Sequence, residues 1–139
     1  MSSNIKIGSK TIIGSFTKIK ASDGPLNIGR NVQIADGCNI FAGEKGTYIG
    51  DDCMIGAHTV IISNNYRYNR IGIPFRKQGL TYKGIHIEEN VWLGAGVCVT
   101  DGARICSGSI IAPNSVVTSE IPPNSIAQGN PAKTIFKRR

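Results

Sequence analysis

An aliphatic residue falls at every sixth position in one stretch of the chain, on Ile87, Leu93, Val99, Ile105, Ile111 and Val117. A strand repeats its faces every two residues and a helix every ~3.6, so a beat of six belongs to a larger unit that recurs along the sequence. Residues of small or middling size, Val91, Val97, Ala103, Ser109 and Ser115, follow four positions after the first five of these. Gly94 and Ala112 stand one position after, where small residues suit a sharply bending backbone. The spacing predicts three short strands per coil, closing as a triangular prism with the aliphatic residues on its inner axis. Successive coils then hydrogen-bond at a strand spacing of about 4.8 Å.

The beat also runs through Ile7, Ile13 and Ile19, then Ile28, Ile34 and Ile40, then Ile49, Ile55 and Ile61. Extra residues near 22–24 and 43–46, and the long break between Ile61 and Ile87, each follow the third hexad of a coil, so all insertions leave one edge of the prism. The reading is an all-β parallel β-helix of about five coils, roughly 24 Å tall at that spacing. Residues 1–121 form the β-helix domain, with the loop 62–84 extruded from a corner, and 122–139 form a closing segment and basic tail. Pro122 and Pro123 are expected to end strand pairing, because proline cannot donate to a ladder. Outward positions stack into columns: Gln33, Met54, Trp92 and Ile110 form one, and Asn27, Tyr48, His86 and Arg104 another. The first is apolar enough to predict a buried surface, and with it a homotrimer packed through flat faces.

The loop 62–84 carries Arg67, Arg70, Arg76, Lys77 and Lys83 and no acidic residue, with tyrosines and Phe75 interspersed. A break this long inside a compact domain reads as functional, here as a lid or substrate wall reaching a neighbouring subunit. The net charge of +7 implies an anionic partner or ligand. No arginine-rich tract or stacking-aromatic motif supports nucleic acid, and a phosphate-bearing cosubstrate accounts for the charge equally well. With no apolar run of the roughly 20 residues needed to cross a bilayer and no leader-like start, the chain is read as cytoplasmic and without membrane insertion. Cys38 and Cys53 occupy the inward slot and read as core filler in a reduced compartment.

Four landmarks carry a resemblance: P-F-R-K-Q-G at Pro74 to Gly79, K-G-I-x-I at Lys83 to Ile87, V-W-L-G-A-G at Val91 to Gly96, and I-P-P-x-S-x-x-x-G-x-P-A-K at Ile121 to Lys133. With the six-residue repeat, they make the chain similar to the hexapeptide-repeat acetyltransferases, in particular to bacterial sugar and xenobiotic O-acetyltransferases. The resemblance implies a left-handed coil. It also implies acetyl-CoA as cosubstrate, transfer of acetyl to a sugar hydroxyl, and sites between neighbouring subunits. It places coenzyme A along the later coils, with Gly94 and Ala95 near the thioester and pantetheine arm, Ala112 and Thr118 further along, and Lys133 on phosphate. Trp92, Arg76 and Tyr68 become acceptor contacts.

A sugar hydroxyl needs a general base as it attacks a thioester, and the developing oxyanion needs a backbone N–H. The relatives supply the base from a histidine in a segment resembling S-H-N-H-x-F, where this chain reads Ser63-Asn64-Asn65-Tyr66-Arg67-Tyr68. Tyr66 stands at the histidine's place, and a phenol with an ordinary pKa of about 10 is a weak base at neutral pH. His86, on an outward column, and His58, at a corner, are the other candidates for the base. Asn39 resembles the family's substrate-binding asparagine. Three alternatives follow: an amino-sugar N-acetyltransferase, whose acceptor needs no histidine; a catalytically impaired β-helix scaffold; and a three-histidine zinc site, which two histidines exclude. No metal is expected.

Overall fold

The structure, a computed structural model, describes residues 4–139. Three sheets form the sides of a prism, with six, seven and five strands, all parallel except the last strand of the seven-stranded sheet. The first face stacks Ile5–Ile7, Leu26–Ile28, Thr47–Ile49, Ile85–Ile87, Arg104–Ile105 and Glu120–Ile121. The second stacks Ile12–Ile13, Gln33–Ile34, Met54–Ile55, Trp92–Leu93, Ile110–Ile111 and Ser125–Gly129, and the third Lys18–Lys20, Asn39–Phe41, Val60–Ile62, Cys98–Val99 and Val116–Val117. The chain visits the faces in that order on five coils, and a last partial turn adds strands to the first and second faces only.

Register confirms the inner column: Ile7 pairs with Ile28, Ile28 with Ile49, Ile49 with Ile87, and Ile87 with Ile105. Ile40, Ile61, Leu93, Val99, Ile105, Ile111 and Val117 are fully buried, and so are the inward Cys38 and Cys53. Burial pushes the Cys53 thiol up to about 11, which keeps it an uncharged core group. The inward pattern fails at the first coil, where Ile7 and Ile13 keep 40% and 38% of their surface because they sit at the end of the stack.

Corners depend on the fourth residue of each hexad. Asn31, Asp52, Asn90 and Asn124 at one edge, and His58 and Asn114 at the next, adopt the left-handed conformation with φ between 53° and 62°. Short polar side chains tolerate it and glycine adopts it freely, as Gly37 and Gly96 do at φ 71° and 69°. A side chain from one coil covers the glycine of the coil before: a Cβ on Gly37 would lie 2.5 Å from His58 Nδ1, and one on Gly96 2.3 Å from Asn114 Oδ1.

All three insertions leave the edge between the third and first faces. In the longest, Asn65–Tyr66 pairs antiparallel with Leu80–Thr81, and Phe75–Lys77 forms a 3₁₀ turn. Gln78, 6% exposed, holds the turn: its Oε1 accepts from Arg70 N at 3.1 Å and its Nε2 donates to Arg70 O and Ile73 O. The prolines at 122 and 123 do not end pairing. They turn the corner between Glu120–Ile121 and Ser125–Gly129, where no ladder donor is needed. Ser125–Gly129 then continues the second face, and Ala132–Lys137 folds back antiparallel onto it. Arg138, read from the sequence as part of a basic tail, is tied to Gly108 O through its guanidinium and to Asn124 O through its N–H.

Candidate active site

Tyr66 lines a cleft of about 450 Å³ on the third face with Ile62, Asn64, Asn65, Cys98, Thr100 and Asp101. Cys98 faces outward from the floor, one register step from Val60 and two from Asn39, so Asn39 shares the face that carries the cleft. Burial raises the Cys98 thiol above its ordinary value, which leaves it a poor nucleophile. Asp101 is held by backbone N–H groups, two from Lys83 and Gly84 at 2.9 Å. The sequence reading missed Asp101, whose signal was an acid directly below the edge from which the loop leaves. Tyr68 and Arg76 lie further out on the loop, both exposed.

Trp92 belongs to the second face, in register with Met54 and Ile110 and 49% exposed. It borders a separate depression with Gln33, Asp36 and Met54. His86 is on the first face, its ring stacked on Tyr48 at 4.9 Å and 9°. Burial, then the charge of Arg104, lowers its pKa, against a smaller opposing effect of Glu88. Arg104 Nη2 donates to Glu88 Oε2 at 2.7 Å. His58 packs its ring against Gly37 at a corner, which gives it a structural role. One chain therefore brings Tyr66 and Asn39 to a common face and leaves Trp92 and His86 on the other two.

Between the second and third faces runs an edge with a free donor. The Gly94 N–H is used, donating to Ile111 O at 2.9 Å, and a Cβ on Gly94 would lie 2.7 Å from Pro113 N. Gly94 is thus a packing requirement between coils. Ala95 follows it, exposed, and among the described residues its N–H has no acceptor, as is also true of Asp36 and Ala57 on the two coils before it. The corresponding N–H groups of Ser15 and Arg30 are occupied, by the Asp36 and Asp51 carboxylates. At Ala95 the residue one coil on is Pro113, which brings no carboxylate. Ala112, whose N–H donates to Ala127 O, lies on the same edge one coil further, and Lys133 pairs with Gln128 just beyond it. Ala95, Ala112 and Lys133 form one line, about 14 Å long at three strand spacings. Thr118 is at the opposite edge of the third face.

The profile described as bacterial transferase hexapeptide (six repeats) matches residues 84–119, and that of the hexapeptide repeat of succinyl-transferase matches 46–63. The Saccharomyces cerevisiae protein named "Putative acetyltransferase YJL218W" is 33% identical over 135 residues, covering 92% of this chain and 68% of its own. The chain belongs to the hexapeptide-repeat acetyltransferases. The galactoside O-acetyltransferase of Lactococcus lactis is 40% identical over 108 residues, 74% of this chain and 51% of that enzyme. The chain spans about half the length of several of the curated relatives it matches. Among solved structures, the hexapeptide-repeat acetyltransferase VCA0836 of Vibrio cholerae with acetyl-CoA superposes at a TM-score of 0.82 and 25% identity, over 96% of this chain and 71% of that one. A galactoside acetyltransferase with coenzyme A gives 0.71 and 28%, over 94% and 66%. The family fold is the left-handed parallel β-helix, and in this hexapeptide-repeat chain it carries the line of Ala95, Ala112 and Lys133. No helix among the described residues is long and apolar enough to cross a membrane.

Proposed function

We propose that the protein transfers an acetyl group from acetyl-CoA to a hydroxyl of a saccharide, in cell-envelope polysaccharide synthesis. The observation that carries this reading is the unused Ala95 N–H on the edge lined by Ala112 and Lys133. The acceptor oxygen attacks the thioester carbonyl carbon, the oxyanion takes the Ala95 N–H, the carbon–sulfur bond breaks, and the acceptor's proton ends on the departing thiolate. Lys133, at the far end of the line, meets cosubstrate phosphate. Trp92 on one side and Tyr66 with Asn39 on the other bound the acceptor. A closed ring of three copies joins two different patches of each chain, so groups on separate faces, such as His86 and Trp92, can meet between copies.

A second reading, an amine acceptor, is favoured by one observation: among the described residues no imidazole lines the Tyr66 cleft. An amine with a pKa of about 8 is partly uncharged at neutral pH and attacks without a base. Product chemistry separates the two. Incubation with acetyl-CoA and a panel of sugars and amino sugars, followed by hydroxylamine, is expected to release the acetyl group, because esters are cleaved and amides survive. On the hydroxyl reading, Tyr66→His also raises turnover, within the 10²- to 10⁴-fold range of about what a positioned base supplies. A hydroxylamine-stable product whose rate ignores that substitution means an amine acceptor.

A further inference from the structure

We infer that the acceptor is an anionic saccharide, one bearing a carboxylate or phosphate, held by the cations of the 62–84 loop. The inference rests on the proposed acetyl transfer and names its substrate class. Arg67, Arg70, Arg76, Lys77 and Lys83 lie in this loop without an acidic residue among them. The two ion pairs among the described residues, Arg30 with Asp51 and Arg104 with Glu88, are elsewhere, so no loop cation is paired.

The loop is a built element, so its charges are carried on fixed backbone. Gln78 ties the turn with three hydrogen bonds, and Arg67 N donates to Gly79 O at 2.9 Å. Two of the cations neighbour residues that line the cleft, and neither side chain is itself in the lining. Arg67 directly follows Tyr66, and its side chain passes over Gly79, where a Cβ would be 3.9 Å from Nε. Lys83 adjoins Asp101, and its stem covers Gly102, with Cδ 3.0 Å from where a Cβ would be. The nearby acids are Asp101 and, close to Tyr82, Asp23 and Glu44. Asp101 is turned to the backbone N–H groups of Lys83 and Gly84, not to a cationic side chain. A surplus of positive charge is left facing solvent on the loop whose residues 64–66 wall a cleft sized for a sugar. Guanidinium groups suit it to planar or tetrahedral oxyanions.

Coenzyme A also carries phosphates, so the test must separate the two anions. With the full chain, KM is measured for matched pairs, glucose against glucuronate and glucose against glucose 6-phosphate, at saturating acetyl-CoA, and then for acetyl-CoA itself. The expected result is a KM about tenfold or more lower for the anionic member, the scale of one charged hydrogen bond. Raised salt should narrow that gap. Arg67→Gln and Lys83→Gln should raise the KM of the anionic acceptor and leave the KM of acetyl-CoA in place. Equal KM values within each pair overturn the inference while the acetyl transfer stands. A rise confined to acetyl-CoA also overturns it, assigning these cations to the cosubstrate. If no saccharide is acetylated the transfer reading fails, and calorimetric titration of glucuronate against glucose still decides whether the cleft selects an anion.

Discussion

His86 is the residue whose chemistry the sequence described least well. Its outward position and its neighbours Tyr48 and Arg104 were legible from the repeat, but the flat stacking of its ring on Tyr48 and the pairing of Arg104 with Glu88 beside it depend on side-chain rotamers that spacing does not fix. Its pKa lies below the ordinary 6.5 in the folded chain, so the unfolded chain binds the proton more readily. The associated stability is full above pH 6.5 and is lost as pH falls through the folded value. Glu88, held below its ordinary 4.5 by the Ser107 N–H and by Arg104, acts in the same direction at lower pH: its contribution is present above 4.5 and is lost through its own folded value. Thermal melts should therefore fall as pH drops from 6.5 toward 5, and His86→Gln should flatten that fall without removing the steeper loss below 4.5. An unchanged slope in the variant would show that His86 does not titrate differently in the two states.

At the scale of the element, the strands were readable and the corners only partly so. Hydrophobic period fixes which side chain points inward, so every coil and the common edge of the insertions followed from spacing alone. The left-handed fourth position escaped that reading, although Asn31, Asp52, Asn90, Asn114 and Asn124 carry its signal. So did the difference between Gly94 and Ala95, since which N–H is used depends on the next coil's residue. That difference gives a clean test. Pro113 occupies the Ala95 position one coil on, packed over Gly94, and Ala95 in turn packs over Gly56 with its N 2.5 Å from a Cβ built there. Proline at 95 should fit as it does at 113 while deleting the N–H. Ala95→Pro is expected to keep the far-UV circular dichroism and melting temperature and to lower kcat by about 10²- to 10³-fold, the loss typical of a missing oxyanion donor. A variant with normal kcat removes Ala95 from the chemistry.

For the whole molecule the question is what covers the second face. Its outward column runs Ile12, Gln33, Met54, Trp92, Ile110 and Ile126 in continuous register. Ile12, Met54 and Trp92 keep 63%, 45% and 49% of their surface in the isolated chain, a long apolar stripe for a monomer to leave in water. Packing in a three-fold ring would bury the stripe against a different patch of the next copy and would bring side chains from separate faces to one site. Light scattering should then report three times the chain mass of 14.9 kDa at micromolar concentration. Met54→Lys sets a charge in the middle of the stripe, beside Trp92, so recovery of activity at raised protein concentration is what separates loss of the trimer from a direct effect on Trp92. Because burying an unpaired ammonium is costly, the variant should dissociate while each copy keeps its fold. If the site is shared between copies, its acetyl transfer should fall with the trimer, and raising protein concentration should restore both together. A folded Met54→Lys monomer with full activity would place the whole site within one chain, and a natural protein that scatters as a monomer would leave the stripe without this explanation.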